Sequence, residues 1–387
     1  MGFHELFERE NVLDILQKTL SDYYGQAYPD RDISIGYKKT KGAAEFIMIP
    51  RIGAIMQTHP CSQIRKHFYD SYNIRNSLIK HIAAKLLVFA SMHAGKLVCS
   101  KQRLYIAPGK LPNRQTIYAY CNRSVRLFDY GQGTTVSIQK HGFTDKFFQN
   151  QLQFRLKHPY PFIPPILRHG QTWFEEEIYE GKMLARISDK DAYEQATHKV
   201  LSDIQILGTD TQENTDARQY ISHLTQRLET MLQETAQKKA TTCHPFAAEY
   251  LQTLKTYLQT APATLPTVIS HKDLQGGNIL VTPEKLWIID WETQGRGSRW
   301  FDAITLLYGT RYYGGIRRLT QDAQADALPE AIGMPDGWSA KQILAIFLLE
   351  DLEFYLEDML ELPGTAGSAT FDRYMTELRE IDWSKTF

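Results

Sequence analysis

The sequence predicts an α+β chain of two lobes, the first rich in strands and the second mostly helical, with a further mixed α/β region ahead of them. Two observations predict it. From Arg103 to about Gly181 short β-type runs alternate with turns, and beyond Gly181 apolar residues recur at three- and four-residue spacing over long stretches. A third is the exception within the helical part: a β-like segment, "TVISHKDLQGGNILVTPEKLWIIDWET" (Thr267 to Thr293), with polar residues between apolar runs.

Taken in order, residues 1–100 mix a helical pattern ("FERENVLDILQKTLSDYY"), a strand-like run ("AAEFIMIPRIGAIM") and an apolar helix over His81 to Met92. No role is evident for this region. Residues 101–180 form the first lobe, with strands "TIYAY", "VRLFDY" and "TTVSIQK". The turn Gly131-Gln132-Gly133 predicts a hairpin between the last two. "TDKFFQNQLQFRLK" predicts a helix capped by Thr144, and "HPYPFIPPILRHG" a connector that proline excludes from helix. "TWFEEEIYEG" closes the lobe as a strand. Residues 181–387 carry the helices, among them "DAYEQATHKVLSDIQIL", "DARQYISHLTQRLETMLQETAQKK" and "SAKQILAIFLLEDLEFYLEDMLEL".

Composition limits the function classes. The 387 residues hold 44 basic and 44 acidic side chains, so no global field favours nucleic acid or a membrane surface. The longest apolar run is too short to span a bilayer, and the N-terminus is unlike a signal peptide. Cys61, Cys99, Cys121 and Cys243 are scattered, without metal or disulfide spacing, which fits a reducing, cytoplasmic setting. No feature specifies an oligomeric state.

The chemistry concentrates in "HKDLQGGN", of the form H-x-D-x-x-x-x-N, with Asp290 twelve residues after Asn278. Phosphoryl transfer from a nucleotide asks for a carboxylate that orients a hydroxyl and accepts its proton, and for hard oxygen ligands to Mg2+. A tight Gly-Gly turn would return Asn278 toward Asp273, and the hairpin after it would deliver Asp290 beside them.

These residues resemble the catalytic and metal loops of the aminoglycoside phosphotransferase and choline kinase-like family, of the protein kinase-like superfamily. The closing Asp-Trp-Glu and the downstream "RGSRWFDAITLL" resemble it too. The resemblance covers about Arg103 to Leu307 and implies a bilobal protein kinase-like fold. It implies Asp273 as catalytic base, Asn278 and Asp290 as magnesium ligands, and His271 and Asp302 as supports of the loop. "TTVSIQK" resembles the strand that carries a phosphate-binding lysine, here Lys140, and "EEEIYEG" the hinge that receives the adenine, here Glu177 and Ile178. The expected partners are ATP or GTP, Mg2+ and a small-molecule alcohol such as a sugar, glycan precursor or amino alcohol.

Two departures stand against the family pattern. The helix after Lys140 offers Gln149, Asn150, Gln151 and Gln153 where a glutamate is expected, and Ala107 to Thr116 contains no glycine-rich phosphate motif. A nucleotide-binding scaffold without catalysis is therefore the alternative. A protein kinase proper is a more distant one, because no Ala-Pro-Glu-like segment follows Asp290. "RYYGGIRR" (Arg311 to Arg318) and the acidic face with Asp351, Glu353 and Glu357 read as solvated.

Overall fold

A computed structural model describes residues 3–49, 53–57, 59–71, 78–93, 102–107, 115–239, 243–362 and 366–387. The stretch 108–114, most of the segment lacking a glycine-rich motif, lies outside the described residues, as does Cys99. The chain divides into two compact units, residues 1–148 with 165–179, and residues 149–164 with 180–387. The α+β class expected from the sequence holds: an antiparallel sheet dominates the first unit and helices the second. No helix among the described residues is long and apolar enough to cross a membrane.

In the first unit the strands β1 (Ser34–Gly36), β2 (Ala44–Ile49), β3 (Ala54–Met56), β4 (Arg103–Ala107), β5 (Thr116–Tyr120), β6 (Ser124–Asp129), β7 (Thr134–Gln139), β8 (Arg168–His169) and β9 (Trp173–Glu177) share one sheet. Its order is β1-β4-β2-β3-β5-β6-β7-β9-β8. The strands from residues 1–107 and those from 116 onward are therefore one continuous surface, joined where β3 pairs with β5. The helices α1 (Phe3–Arg9) and α2 (Val12–Ala27) cover one face, where Leu16 and Leu20 meet Phe46, Met48, Tyr118 and Val136. On the other face α3 (Ser62–Ser71) and α4 (Leu78–His93) bring Ile64, Phe68, Val88 and Met92 against Ile47, Ile49 and Ile117. Alternate residues of "EFIMI" enter opposite cores, which is why that run is apolar without a break. The hairpin at Gly131–Gly133 forms as expected, with Gly133 at φ +72°.

Lys140 continues the alternation of Val136 and Ile138 onto the α2 face. Its ammonium lies 2.8 Å from Glu10 Oε1 and 2.8 Å from the Asn122 carbonyl, over the Tyr120 ring at 3.8 Å. Burial pushes this ammonium from its ordinary 10.5 down to about 8, against the opposing pull of Glu10. Between those values the unfolded chain binds the proton more tightly than the folded one. Lys140 thus detracts from stability below pH 8, and the deficit is relieved as pH rises toward 10.5. Relative to Lys140→Met, the wild type should gain about 3 kcal/mol across that window in urea unfolding. A difference flat in pH would rule out this account of Lys140.

The second unit holds α6 (Lys190–Thr211), α7 (Ala217–Lys238), α8 (His244–Tyr257), α9 (Phe301–Tyr308), α10 (Gly315–Gln324), α11 (Ala340–Glu361) and α12 (Ala366–Arg379). The helix α5 (Lys146–Lys157) crosses the division after Phe148. Ser339 and Gln342 close a capping box at the start of α11, which is buried on all sides from Ile343 to Leu352. Two small antiparallel sheets interrupt the helices: β10 (Lys182–Met183), β13 (Ile279–Val281) and β14 (Leu286–Ile288), and β11 (Glu213–Asp216), β12 (Thr264–Ser270) and β15 (Gly295–Ser298). The polar segment His271–Asn278 connects β12 of one to β13 of the other.

Candidate functional site

The loop after β12 is organised around its own polar groups. Asp302, buried in the first turn of α9, accepts the backbone N–H of His271 at 2.7 Å on one oxygen and that of Lys272 at 3.0 Å on the other. These bonds hold Lys272 at φ +68°, a left-handed conformation that a side chain other than glycine enters at a cost of roughly 1–2 kcal/mol. The His271 ring stands on Trp291 with centroids 4.6 Å apart. Its Nε2 donates to the Ile289 carbonyl at 2.9 Å, and its Nδ1 accepts the Asp273 N–H at 3.3 Å, which together fix the tautomer. His271 thus bridges the loop to the end of β14.

The Asp273 side chain is 20% exposed and points its carboxylate at a set of donors. Asn278 Nδ2 donates to the Asp273 carbonyl at 2.8 Å and to its Oδ2 at 2.9 Å, so this amide both closes the loop and aims the carboxylate. Gln275 Nε2 lies 3.2 and 3.1 Å from the two carboxylate oxygens. The turn between is tight. A Cβ on Gly276 would sit 3.0 Å from the Ala185 backbone nitrogen, so the loop passes too close to that segment for a side chain.

Asp290 arrives by the β13–β14 hairpin. Ile279 opposes Ile288, and one step beyond them the Ile289 N–H donates to the Asn278 carbonyl at 2.9 Å. Asp290 follows at φ +70°, a second non-glycine residue in the left-handed region. The segment after it is pinned: Trp291 is fully buried, stacked on Phe154 at 4.6 Å, with its Nε1 donating to the Ile288 carbonyl at 2.8 Å. Thr293 Oγ1 donates to the His271 carbonyl at 3.1 Å, and Asn150 Nδ2 to the Gln294 carbonyl at 2.7 Å. The strain that two left-handed residues store is thereby offset by the buried Trp291 and by these hydrogen bonds.

Among the described residues no three His, Cys, Asp or Glu side chains cluster as a metal site. The oxygen donors that the sequence marks are one carboxamide, Asn278, and one carboxylate, Asp290.

Residues 170–341 match the phosphotransferase enzyme family, APH. This part of the chain is an APH segment. The family resemblance read from the sequence holds there, and Asp273, Asn278, Asp290 and Asp302 all fall inside the APH segment. Similar solved structures are an ethanolamine kinase of Plasmodium vivax, at 13% identity over 84% of this chain and 95% of that one, with a TM-score of 0.44. A choline kinase, LicA, from Streptococcus pneumoniae is similar at 13% identity over 70% and 91%, TM-score 0.43. The aminoglycoside phosphotransferase APH(4)-Ia is similar at 14% identity over 69% and 94%, TM-score 0.46. No curated protein sequence matches the chain.

The remaining expected site residues lie in the first unit. Glu177 ends β9 and is exposed, and the Ile178 N–H donates to the Gly133 carbonyl at 2.8 Å. Lys140 has its ammonium engaged by Glu10 and Asn122 on the α2 face, as described above. The glutamate missing from α5 is thus matched by Glu10 of the N-terminal segment, which holds the Lys140 ammonium.

Two stretches expected to be solvated are so only in part: Tyr312, Tyr313, Arg317 and Arg318 are exposed, but the residues at their inner side are not. Arg311 is 5% exposed, Asp351 is fully buried and paired with it, and Glu353 pairs with Arg227 at 2.7 Å. Glu350, also fully buried, accepts the Ser298 N–H at 2.6 Å and the Tyr220 hydroxyl at 2.5 Å. The signal was available: a Glu-Asp pair directly after "ILAIFLL" puts carboxylates on an all-apolar helix, where they demand buried partners.

Proposed function

We propose that the chain is a magnesium-dependent small-molecule kinase that moves the γ-phosphoryl group of a nucleotide, ATP or GTP, onto a hydroxyl. The observation that supports it most is the joint fixing of Asp273 and Asn278 by one amide, with the hairpin register placing Asp290 next in line. Asp273 would orient the acceptor hydroxyl and take its proton as the new O–P bond forms and the bond to the nucleoside diphosphate breaks. The donors fit Mg2+, since the Asn278 Nδ2 bonds to Asp273 leave Oδ1 for a cation and Asp290 adds a carboxylate. A bound magnesium ion would supply charge neutralisation for the phosphates.

His271 and Asp302 keep the loop in its strained shape. Glu177 and Ile178 are proposed to receive the nucleotide base. The phosphate role is not extended to Lys140, whose ammonium is already engaged. The acceptor is a small alcohol, with sugars, glycan precursors and amino alcohols as the first compounds to try, and a cytoplasmic setting fits it.

Nucleotide release by the purified protein, given ATP, magnesium and a panel of sugars and amino alcohols, tests this. Turnover that requires magnesium is expected. Asp290→Ala should abolish it and remove any magnesium-dependent gain in nucleotide affinity. Nucleotide binding without turnover, indifferent to Asp290→Ala, would instead leave a scaffold, and phosphate appearing on protein would point to a protein kinase.

A further inference from the structure

One guanidinium beneath the loop touches both the loop and the helix behind it. Arg311 Nε donates to Asp273 Oδ1 at 2.9 Å, its Nη2 to the Lys272 carbonyl at 2.7 Å, and its Nη1 to Asp351 on α11. Its Cζ lies 4.0 Å from the centre of the Phe354 ring. We infer that Arg311 is a positioning residue for the Asp273 carboxylate, oriented in turn by Asp351. The inference rests on Asp273 being the group that receives the hydroxyl proton.

The terminal torsion of an aspartate is soft and roughly two-fold, so its oxygens need external fixing. Asn278 fixes Oδ2 and Arg311 fixes Oδ1, with Gln275 between them. Arg311 grips two consecutive residues, the Lys272 carbonyl and the Asp273 side chain, so it sets the carboxylate against its own backbone. A planar guanidinium presents its donors from separate nitrogens in fixed directions, whereas a lysine's three donors share one nitrogen on a flexible stem and impose no such plane. Asp351 is itself fully buried on α11. Its pairing with Nη1 therefore locks the fork from behind and also offsets the repulsion between Asp273 and Asp351.

Arg311→Met alone would strand the buried Asp351, and the chain could lose its fold for that reason. The test therefore pairs Arg311→Met with Asp351→Leu, which removes both charges at similar volume, and sets beside it Arg311→Lys, which keeps a partner for Asp351. Each is assayed with ATP, magnesium and the acceptor that the wild type phosphorylates best among glucose, choline and ethanolamine. Both variants should melt near the wild type and keep its KM for ATP, while kcat falls about a hundredfold, as for a misplaced reacting group. Wild-type kcat in either variant shows a purely structural pair and overturns the inference. A wild type that turns over none of the three acceptors sinks the kinase reading and the inference together, and the wild-type assay alone reveals that case.

Discussion

Asp302→Ala is expected to lower the stability of the unit holding the loop by roughly 4 kcal/mol, on the order of 10 °C in Tm. The substitution leaves the buried N–H groups of His271 and Lys272 without their acceptor, each such loss costing about 1–3 kcal/mol. It also frees Lys272 to relax from φ +68°, which moves Asp273, one residue on. Activity should therefore fall further than the fraction unfolded accounts for. Asp302→Asn is a sharper probe, because it keeps one acceptor and turns the other into a donor facing an N–H. Thermal unfolding of both variants within a degree of the wild type would show that the loop is held by something else.

Asp273→Asn is the second large effect, this time on rate. The amide keeps the shape but cannot take a proton, and kcat should drop by about 10²–10⁴, the usual worth of a general base. Nucleotide affinity should stay near the wild-type value, since Asp273 is assigned to the acceptor hydroxyl. Steady-state rates and nucleotide titrations measure the two separately. A variant that keeps a tenth of the wild-type rate would remove Asp273 from the chemistry.

The sequence carried much of this plan because its signals were local. Period-two and three-to-four-residue spacing marked the strands of the first unit and the helices of the second, and proline kept residues 158–165 out of helix as expected. The loop was legible for a related reason, since Asp273 and Asn278 meet within one turn and share one amide. What escaped were partnerships across long separations. Arg311 reaches Asp273 over 38 residues and Asp351 over 40, and Glu10 reaches Lys140 over 130. No short window contains both members of such a pair. The strand carrying Lys140 was found by its pattern, but the face onto which Lys140 turns is decided by α2, more than a hundred residues earlier.

The continuous sheet of the first unit has a consequence for aggregation. Its described borders are β1, three residues long, and β8, two residues long, too short to template another chain. Without the first hundred residues the border would move to β5, whose "TIYAY" is aromatic and β-branched and would bare the hydrogen-bonding edge now paired with β3. The N-terminal region thus serves as an edge guard: it ends the sheet on a strand that other chains cannot extend.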